Sequence, residues 1–195
     1  MNSESPVPAI GGCVAALARA SLPLGLFALA ACTPTLDWRA VRLPDTELVA
    51  DMPCRPGRFQ RDVVVAGAPL KMFMLSCEAG GVTYGVATAD VGDPTRVDAV
   101  LGALAAGARA AVRSHDATAS AFDLPGATPF HGNVSARLHG VRPDGVAIEE
   151  SMRVFGRGAR VFQVSAIGAA LPDAATKPFE DGLRFDLENR VADPI

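Results

Sequence analysis

The fold is decided by one amphipathic stretch, residues 93–113, which reads DPTRVDAVLGALAAGARAAVR. Asp93 followed by Pro94 predicts a helix start, because aspartate caps a first turn and proline at that position sacrifices no hydrogen bond. Apolar residues then recur at three- and four-residue steps, at Val97, Val100, Leu101, Leu104, Ala108, Ala111 and Val112. Gly102 and Gly107 weaken a helix by about 1 kcal/mol each unless they permit close packing on strands. The stretch therefore predicts a helix with one face against a sheet.

Strand patterns precede this helix. Segments that alternate in polarity or are rich in valine are separated by turns built from Gly and Pro, which predicts an antiparallel meander. These segments are residues 46–52, 60–66, 70–77 and 82–91. The second and third of them pair most simply as a hairpin across Gly67-Ala68-Pro69.

A second set of strands follows the helix. After a predicted loop at 114–121 and an irregular crossing at 122–129, the turn chemistry predicts another meander. Its strands are residues 134–141, 146–155 and 159–168. A last helix at 172–183, weakened by Pro178, leads into a short strand at 183–185. This order predicts an α+β fold, in which an antiparallel sheet of about six to seven strands packs with two helices.

An apolar run from residue 20 ends in Leu29-Ala30-Ala31-Cys32. These four residues resemble the lipobox of bacterial lipoprotein precursors, with an aliphatic residue three places before the cysteine and two small residues between. The run is shorter than the ~20 residues that a membrane span needs. The resemblance implies a signal peptide at 1–31 and palmitate-bearing lipid on Cys32. Plain secretion remains an alternative, and Cys13 is a weaker lipidation candidate.

The resemblance to lipoproteins also implies a location. Thr33, rather than an aspartate, follows Cys32, which implies the periplasmic face of the outer membrane, with the inner membrane or soluble periplasm as alternatives. The remaining chain divides into a tether at 32–45, whose Trp38 could dock onto the domain, a single domain at 46–185 and a frayed tail at 186–195. The membrane, reached through acylated Cys32, is the first expected partner.

Cys54 and Cys77 are the cysteines left beyond the lipobox. An even pair in an exported chain favours a disulfide, which would close a loop of about two dozen residues and stabilise the fold by roughly 3 kcal/mol. Buried free thiols and a redox or metal pair are the alternatives. The latter is disfavoured because the chain lacks Cys-x-x-Cys spacing here.

The net charge of −3 and the scattered bases argue against nucleic acid as a partner. Arg55, Arg58 and Arg61 form a modest cluster, but Asp51 and Asp62 flank it, so a solvated turn is the simpler interpretation than an anion site.

Enzyme motifs are weak throughout. Ser151 and Ser165 lack the Gly-x-Ser-x-Gly elbow, and no cofactor motif is recognisable. The histidines are His115, His131 and His139, and the last two could form a site only if folding brought them beside a carboxylate. Glu149 and Glu150 would point to opposite faces of a strand. One would be solvated, and the other would lie at an edge or pair with Arg153 or Arg160.

The element order resembles the PsbP-like and DcrB-like proteins, small exported α/β domains often carried on lipoproteins. The resemblance rests on Pro53-Cys54-Arg55-Pro56 after a strand, the hairpin, Asp93-Pro94, the three-strand meander and Gly182-Leu183-Arg184-Phe185. It spans residues 46–185 and implies a fold without a common activity. The expected function is a non-catalytic binding or accessory module of the envelope, which binds a partner protein, lipid or small ligand through the sheet or the cleft between sheet and helix. The alternative is an envelope enzyme with a site around His131 and His139.

Overall fold

The described chain has the predicted α+β fold, with two helices and a seven-stranded antiparallel sheet, but the strand predicted at 46–52 lies in a second sheet of three strands that the sequence does not predict. The computed structural model describes residues 36–114 and 116–187. Its strands are β1 (Arg39–Arg42), β2 (Leu48–Met52), β3 (Gly57–Val65), β4 (Ala68–Ala79), β5 (Val82–Asp90), β6 (Asp116–Ala121), β7 (Val134–Val141), β8 (Ala147–Arg157), β9 (Arg160–Gly168) and β10 (Arg184–Phe185). Its helices are α1 (Val97–Ala111) and α2 (Asp173–Asp181).

The larger sheet has seven strands in the order β3-β4-β5-β9-β8-β7-β6. It consists of two meanders joined where β5 pairs with β9. The turn of Gly80 and Gly81, with φ of 60° and 76°, joins β4 to β5, and these left-handed angles suit glycine because it has no Cβ. Since β5 pairs with β9 and not with β6, the segment between β5 and β6 must cross one face of the sheet. That segment is α1.

Helix α1 covers this first face of the sheet by packing on β8 and β9. A 3-10 turn at Pro94–Arg96 precedes it, and the Asp93 carboxylate accepts a hydrogen bond from the Thr95 backbone N–H at 2.9 Å. The predicted apolar face is buried except at Ala111, which is exposed. It contacts side chains of the sheet that include Met152, Val154 and Val161. The amphipathic pattern therefore determines which side of α1 faces the sheet.

The opposite face of the sheet is covered by α2 and by a three-stranded sheet of order β1-β2-β10. Aromatic rings dominate this core. Phe155 and Phe162 stack with centroids 5.2 Å apart, and Phe179 of α2 meets Tyr84 edge-on at 5.2 Å. The buried Tyr84 hydroxyl donates a hydrogen bond to the Ala175 carbonyl at 3.0 Å, and burial raises its pKa. These contacts fasten α2 to the sheet.

Two sequence predictions are wrong in detail. The segment predicted as a tether contributes β1, which pairs with β2, and Leu43 beyond it is fully buried. Trp38 docks on the domain, with its ring 6.3 Å from Tyr84. Residues 114–121, predicted as a loop, contain β6, which pairs along its length with β7. Strand β1 forms a short hairpin with the neighbouring β2 although its segment shows little periodicity, whereas β6 takes its hydrogen bonds from β7, beyond a longer loop. Residues 188–195 of the predicted tail lie outside the described residues.

Within the described residues, no helix is long and apolar enough to cross a membrane.

Candidate functional site

A groove of about 540 Å³ runs between α1 and the sheet on the first face. We call it the α1 groove. It is lined by Val64, Val65, Ala66, Ala103, Leu104, Gly107, Ala108, Ala111, Val112, Ile148, Glu150, Gln163, Ser165 and Ile167. Its volume is within the range of about 300–1,000 Å³ that small-molecule sites occupy.

The walls of the groove are apolar and composed mostly of small side chains. Ala103, Gly107 and Ala111 follow one another at four-residue steps, so they share one side of α1. A Cβ added to Gly107 would meet nothing within 4 Å. Facing them is the tip of the β3–β4 hairpin, where Val64 is 76% exposed. The short side chains of α1 thus leave open the space between the helix and the hairpin.

Glu150 lies in the floor of the groove. Alternation along β8 places it on the same face as Ile148 and Met152, both buried under α1. Its strand neighbours across the sheet are Leu138 of β7 and Ile167 of β9. Glu150 is only 2% exposed. A carboxyl group is therefore held among aliphatic side chains at a central position of the sheet.

The carboxyl group of Glu150 has no hydrogen-bond or ion-pair partner among the described residues. The expectation that the second carboxylate of the pair would lie at an edge or meet Arg153 or Arg160 is wrong. Arg153 pairs with Glu180 at 3.0 Å, and Arg160 pairs with Asp90 at 3.4 Å. Burial without a compensating charge raises the pKa of the Glu150 carboxyl to about 7, because desolvation penalises the ionised form. Near neutral pH this group carries a proton about half the time.

Gln163 and Ser165 of β9 add polar groups to the same floor. Neither side chain hydrogen-bonds to another described residue. Gly85 on β5 has no side chain to cover Ser165. A Cβ at position 85 would be in van der Waals contact with the Ser165 Oγ, at 3.7 Å. The groove therefore combines apolar walls with three polar side chains whose hydrogen-bonding capacity is not used within the described chain.

A second polar cluster, on the opposite face, has its groups paired with one another. The Arg153 guanidinium donates to both the backbone carbonyl and the carboxylate of Glu180, and the Ser151 hydroxyl donates to the same carboxylate. Arg137 pairs with Glu149 at 3.2 Å and donates to the Leu171 carbonyl. These contacts tie α2 and the segment before it to the sheet, so the cluster has a structural explanation.

The structure brings together one pair of the residues singled out from sequence. Cys54 and Cys77 form a disulfide with their Cα atoms 6.0 Å apart. Cys32, the predicted lipidation site, lies outside the described residues, as does His115.

His131 and His139 lie at different places in the fold. His139 is on β7, with its Nδ1 4.0 Å from a carboxylate oxygen of Glu149, whereas His131 lies in the loop before β7, beside Phe122 and Asp123. The strand from Val134 to His139 alone spans about 17 Å at 3.3–3.4 Å per residue. Nowhere in the described chain do three or more His, Cys, Asp or Glu side chains form a group able to hold a metal ion.

The sequence predicts binding by the sheet or by a cleft between sheet and helix, but it does not predict the residues of the α1 groove, although two elements of the groove leave a trace in the sequence. Small residues at 103, 107 and 111 border the apolar face of a helix, where larger side chains would extend its contact with the sheet. An acid also occupies a position of β8 whose neighbours two places away, Ile148 and Met152, are apolar. Neither trace indicates a groove until the hairpin tip is known to face α1.

No protein-family model, curated protein or solved structure matches the chain. The likeness to the PsbP-like and DcrB-like domains thus stays a prediction from sequence.

Proposed function

We propose that the chain is a lipid-anchored, non-catalytic module of the bacterial cell envelope that binds a small apolar ligand in the α1 groove. The observation that carries the binding role is Glu150, whose carboxyl lies in an apolar groove at 2% exposure with no hydrogen-bond or ion-pair partner among the described residues. Polar groups at low exposure in native proteins are nearly always hydrogen-bonded to protein, water or ligand, and the Glu150 carboxyl borders the groove, so a ligand there is the partner that we infer. The small side chains of α1 support the same role, because they leave a volume suited to such a ligand.

The proposed location rests on the lipobox-like residues Leu29-Ala30-Ala31-Cys32. A diacylglyceryl group with a further acyl chain on Cys32 anchors a protein firmly, since each buried methylene contributes about 0.8 kcal/mol. Thr33 in the next position favours the periplasmic face of the outer membrane. The disulfide between Cys54 and Cys77 supports an oxidising compartment such as the periplasm.

Metabolic labelling with palmitate in a Gram-negative host tests the anchor. We expect the protein to incorporate label and to fractionate with the outer membrane, and Cys32→Ala to abolish both. Cys13→Ala is the matched control and should retain the label. Labelling that persists in Cys32→Ala would contradict the proposed anchor.

Titration with the neutral apolar dye N-phenyl-1-naphthylamine tests the groove as a binding site. We expect dye fluorescence to rise on binding, and Gly107→Leu to abolish this rise by filling the groove. Gly102→Leu is the control, because Gly102 is also exposed on α1 and has nothing near its Cβ position but does not line the groove. Equal dye binding by the two variants would refute the groove as the site.

A further inference from the structure

We propose, on the basis of the function proposed above, that the ligand is an amphiphilic amine whose ammonium group pairs with the Glu150 carboxylate while its apolar body lies in the α1 groove.

The first argument is charge complementarity. Glu150 is the only ionisable side chain among the described residues that line the groove, so the chain itself supplies no cation there. A buried carboxylate without a counter-charge is costly, and an opposite charge within hydrogen-bonding distance removes much of that cost. A cationic ligand supplies what the site lacks, whereas an anionic ligand would add a second negative charge.

The charged groups of the surrounding elements are directed elsewhere. On β7, Arg137 and His139 flank Leu138, so strand alternation turns both to the opposite face, where each lies beside Glu149. On β8, Arg153 is on that face too, paired with Glu180. The α1 residues in the groove are Ala, Gly, Leu and Val, and those of the hairpin tip are Val and Ala.

The second argument is the arrangement of polar and apolar groups. An ammonium group has three hydrogen-bond donors and no acceptor. Glu150, Gln163 and Ser165 each carry an oxygen able to accept, and none of the three side chains has a hydrogen-bond partner among the described residues. The walls beyond them offer apolar contact only. This pattern fits one polar head on an aliphatic or aromatic body.

Competition against N-phenyl-1-naphthylamine tests the ligand class. The probes are decylamine, decan-1-ol and decanoate, which share a chain and differ in head-group charge. The full chain is used in every arm with Cys32→Ala, so that no acyl group is attached. At about pH 8, we expect decylamine to bind at least about tenfold more tightly than decan-1-ol, and decanoate to bind more weakly than the alcohol.

Glu150→Gln should weaken decylamine binding by about tenfold or more and leave decan-1-ol unchanged. Glu149→Gln is the control, because it changes the neighbouring carboxylate on the opposite face and should leave both affinities unchanged. The pH dependence of binding to the protein that keeps Glu150 gives an independent readout. Because the pKa of Glu150 is about 7, decylamine affinity should fall about tenfold between about pH 8 and pH 6, and decan-1-ol affinity should stay constant.

Equal affinities for decylamine and decan-1-ol, or a decylamine affinity that ignores both Glu150→Gln and pH, would overturn the amine proposal. If Gly107→Leu still abolishes dye binding in that case, the groove remains the binding site and only the ligand class is wrong. If Gly107→Leu leaves dye binding intact, both proposals fail.

Discussion

Replacing Glu150 by glutamine should stabilise the protein, and the gain should grow as pH rises. The carboxyl is neutral in both the folded and the unfolded state at low pH. As pH rises, the exposed carboxyl of the unfolded chain ionises first, so the unfolded state binds fewer protons than the folded state and stability falls. This loss is complete above the pKa of about 7 that burial gives Glu150 in the fold. Glutamine keeps a similar shape and does not ionise.

The size of the effect follows from the two pKa values. An exposed glutamate has a pKa near 4.5, and the buried Glu150 has a pKa of about 7. Since each pKa unit corresponds to about 1.4 kcal/mol, the ionised carboxyl lowers the free energy of unfolding by about 3 kcal/mol at pH 8. At pH 5 the penalty is about 1 kcal/mol. The stability difference between Glu150→Gln and the wild type should therefore increase by about 2 kcal/mol across this range.

Urea unfolding of the purified, disulfide-intact protein at about pH 5 and pH 8 measures this difference. With a urea m-value of about 2 kcal/mol/M, the midpoint advantage of the variant should grow by about 1 M. Comparing variant and wild type at each pH removes the titration of all other groups. Glu149→Gln is the control. It breaks a half-exposed ion pair with Arg137 and a longer contact with His139, so it should cost less than about 1 kcal/mol at either pH, and it should not show the gain in stability with rising pH that is expected of Glu150→Gln.

A stability difference for Glu150→Gln that is the same at both pH values would refute the reasoning. It would mean that the carboxyl finds a solvated or paired environment in the fold, and the charge argument for an amine ligand would lose its basis.

Three further substitutions test the packing. Cys54→Ser should lower the free energy of unfolding by about 3 kcal/mol in denaturant titrations, because it opens the loop that the disulfide closes; an unchanged midpoint would contradict this. Phe179→Ala should cost about 3–5 kcal/mol in the same assay and raise protease sensitivity within α2, since its ring is 1% exposed; full resistance would show that α2 docks by other contacts. Gly140→Ala should lower the thermal midpoint sharply, because its Cβ would lie 1.7 Å from the Val112 carbonyl oxygen, while Gly102→Ala, with open space around it, should raise the midpoint.

Much of the fold follows from short-range chemistry in the sequence. The Asp93-Pro94 start, the apolar steps along α1 and the Gly80-Gly81 turn all act within a few residues, so a local pattern suffices to predict them. Strand β6 does not have this property. It consists of small and polar residues, and its hydrogen bonds come from β7 after a loop of twelve residues, 122–133. A pattern confined to residues 116–121 therefore does not reveal the strand that stabilises it.

The α1 groove depends on even longer-range geometry. The pairing of β5 with β9 brings the first meander beside the second, and only then does the tip of the β3–β4 hairpin come to face α1. Strand alternation predicts that Glu149 and Glu150 point to opposite faces, but not which of the two residues lies on the face that packs against α1. The sequence therefore limits Glu150 to one of two environments, and the arrangement of the whole sheet decides between them.

The folding stability that the buried Glu150 carboxyl costs helps to explain why the groove exists. A domain of this size is stable by about 5–15 kcal/mol, so an ionised carboxyl that costs about 3 kcal/mol at neutral pH uses a substantial part of that margin. A leucine or methionine between Ile148 and Met152 would remove this cost and, with larger residues in place of Gly107 and Ala111, would close the groove. Structural requirements alone do not call for an acid there. Binding sites commonly hold groups that lower stability because those groups are satisfied only by the ligand, and Glu150 has this character among the described residues of the groove.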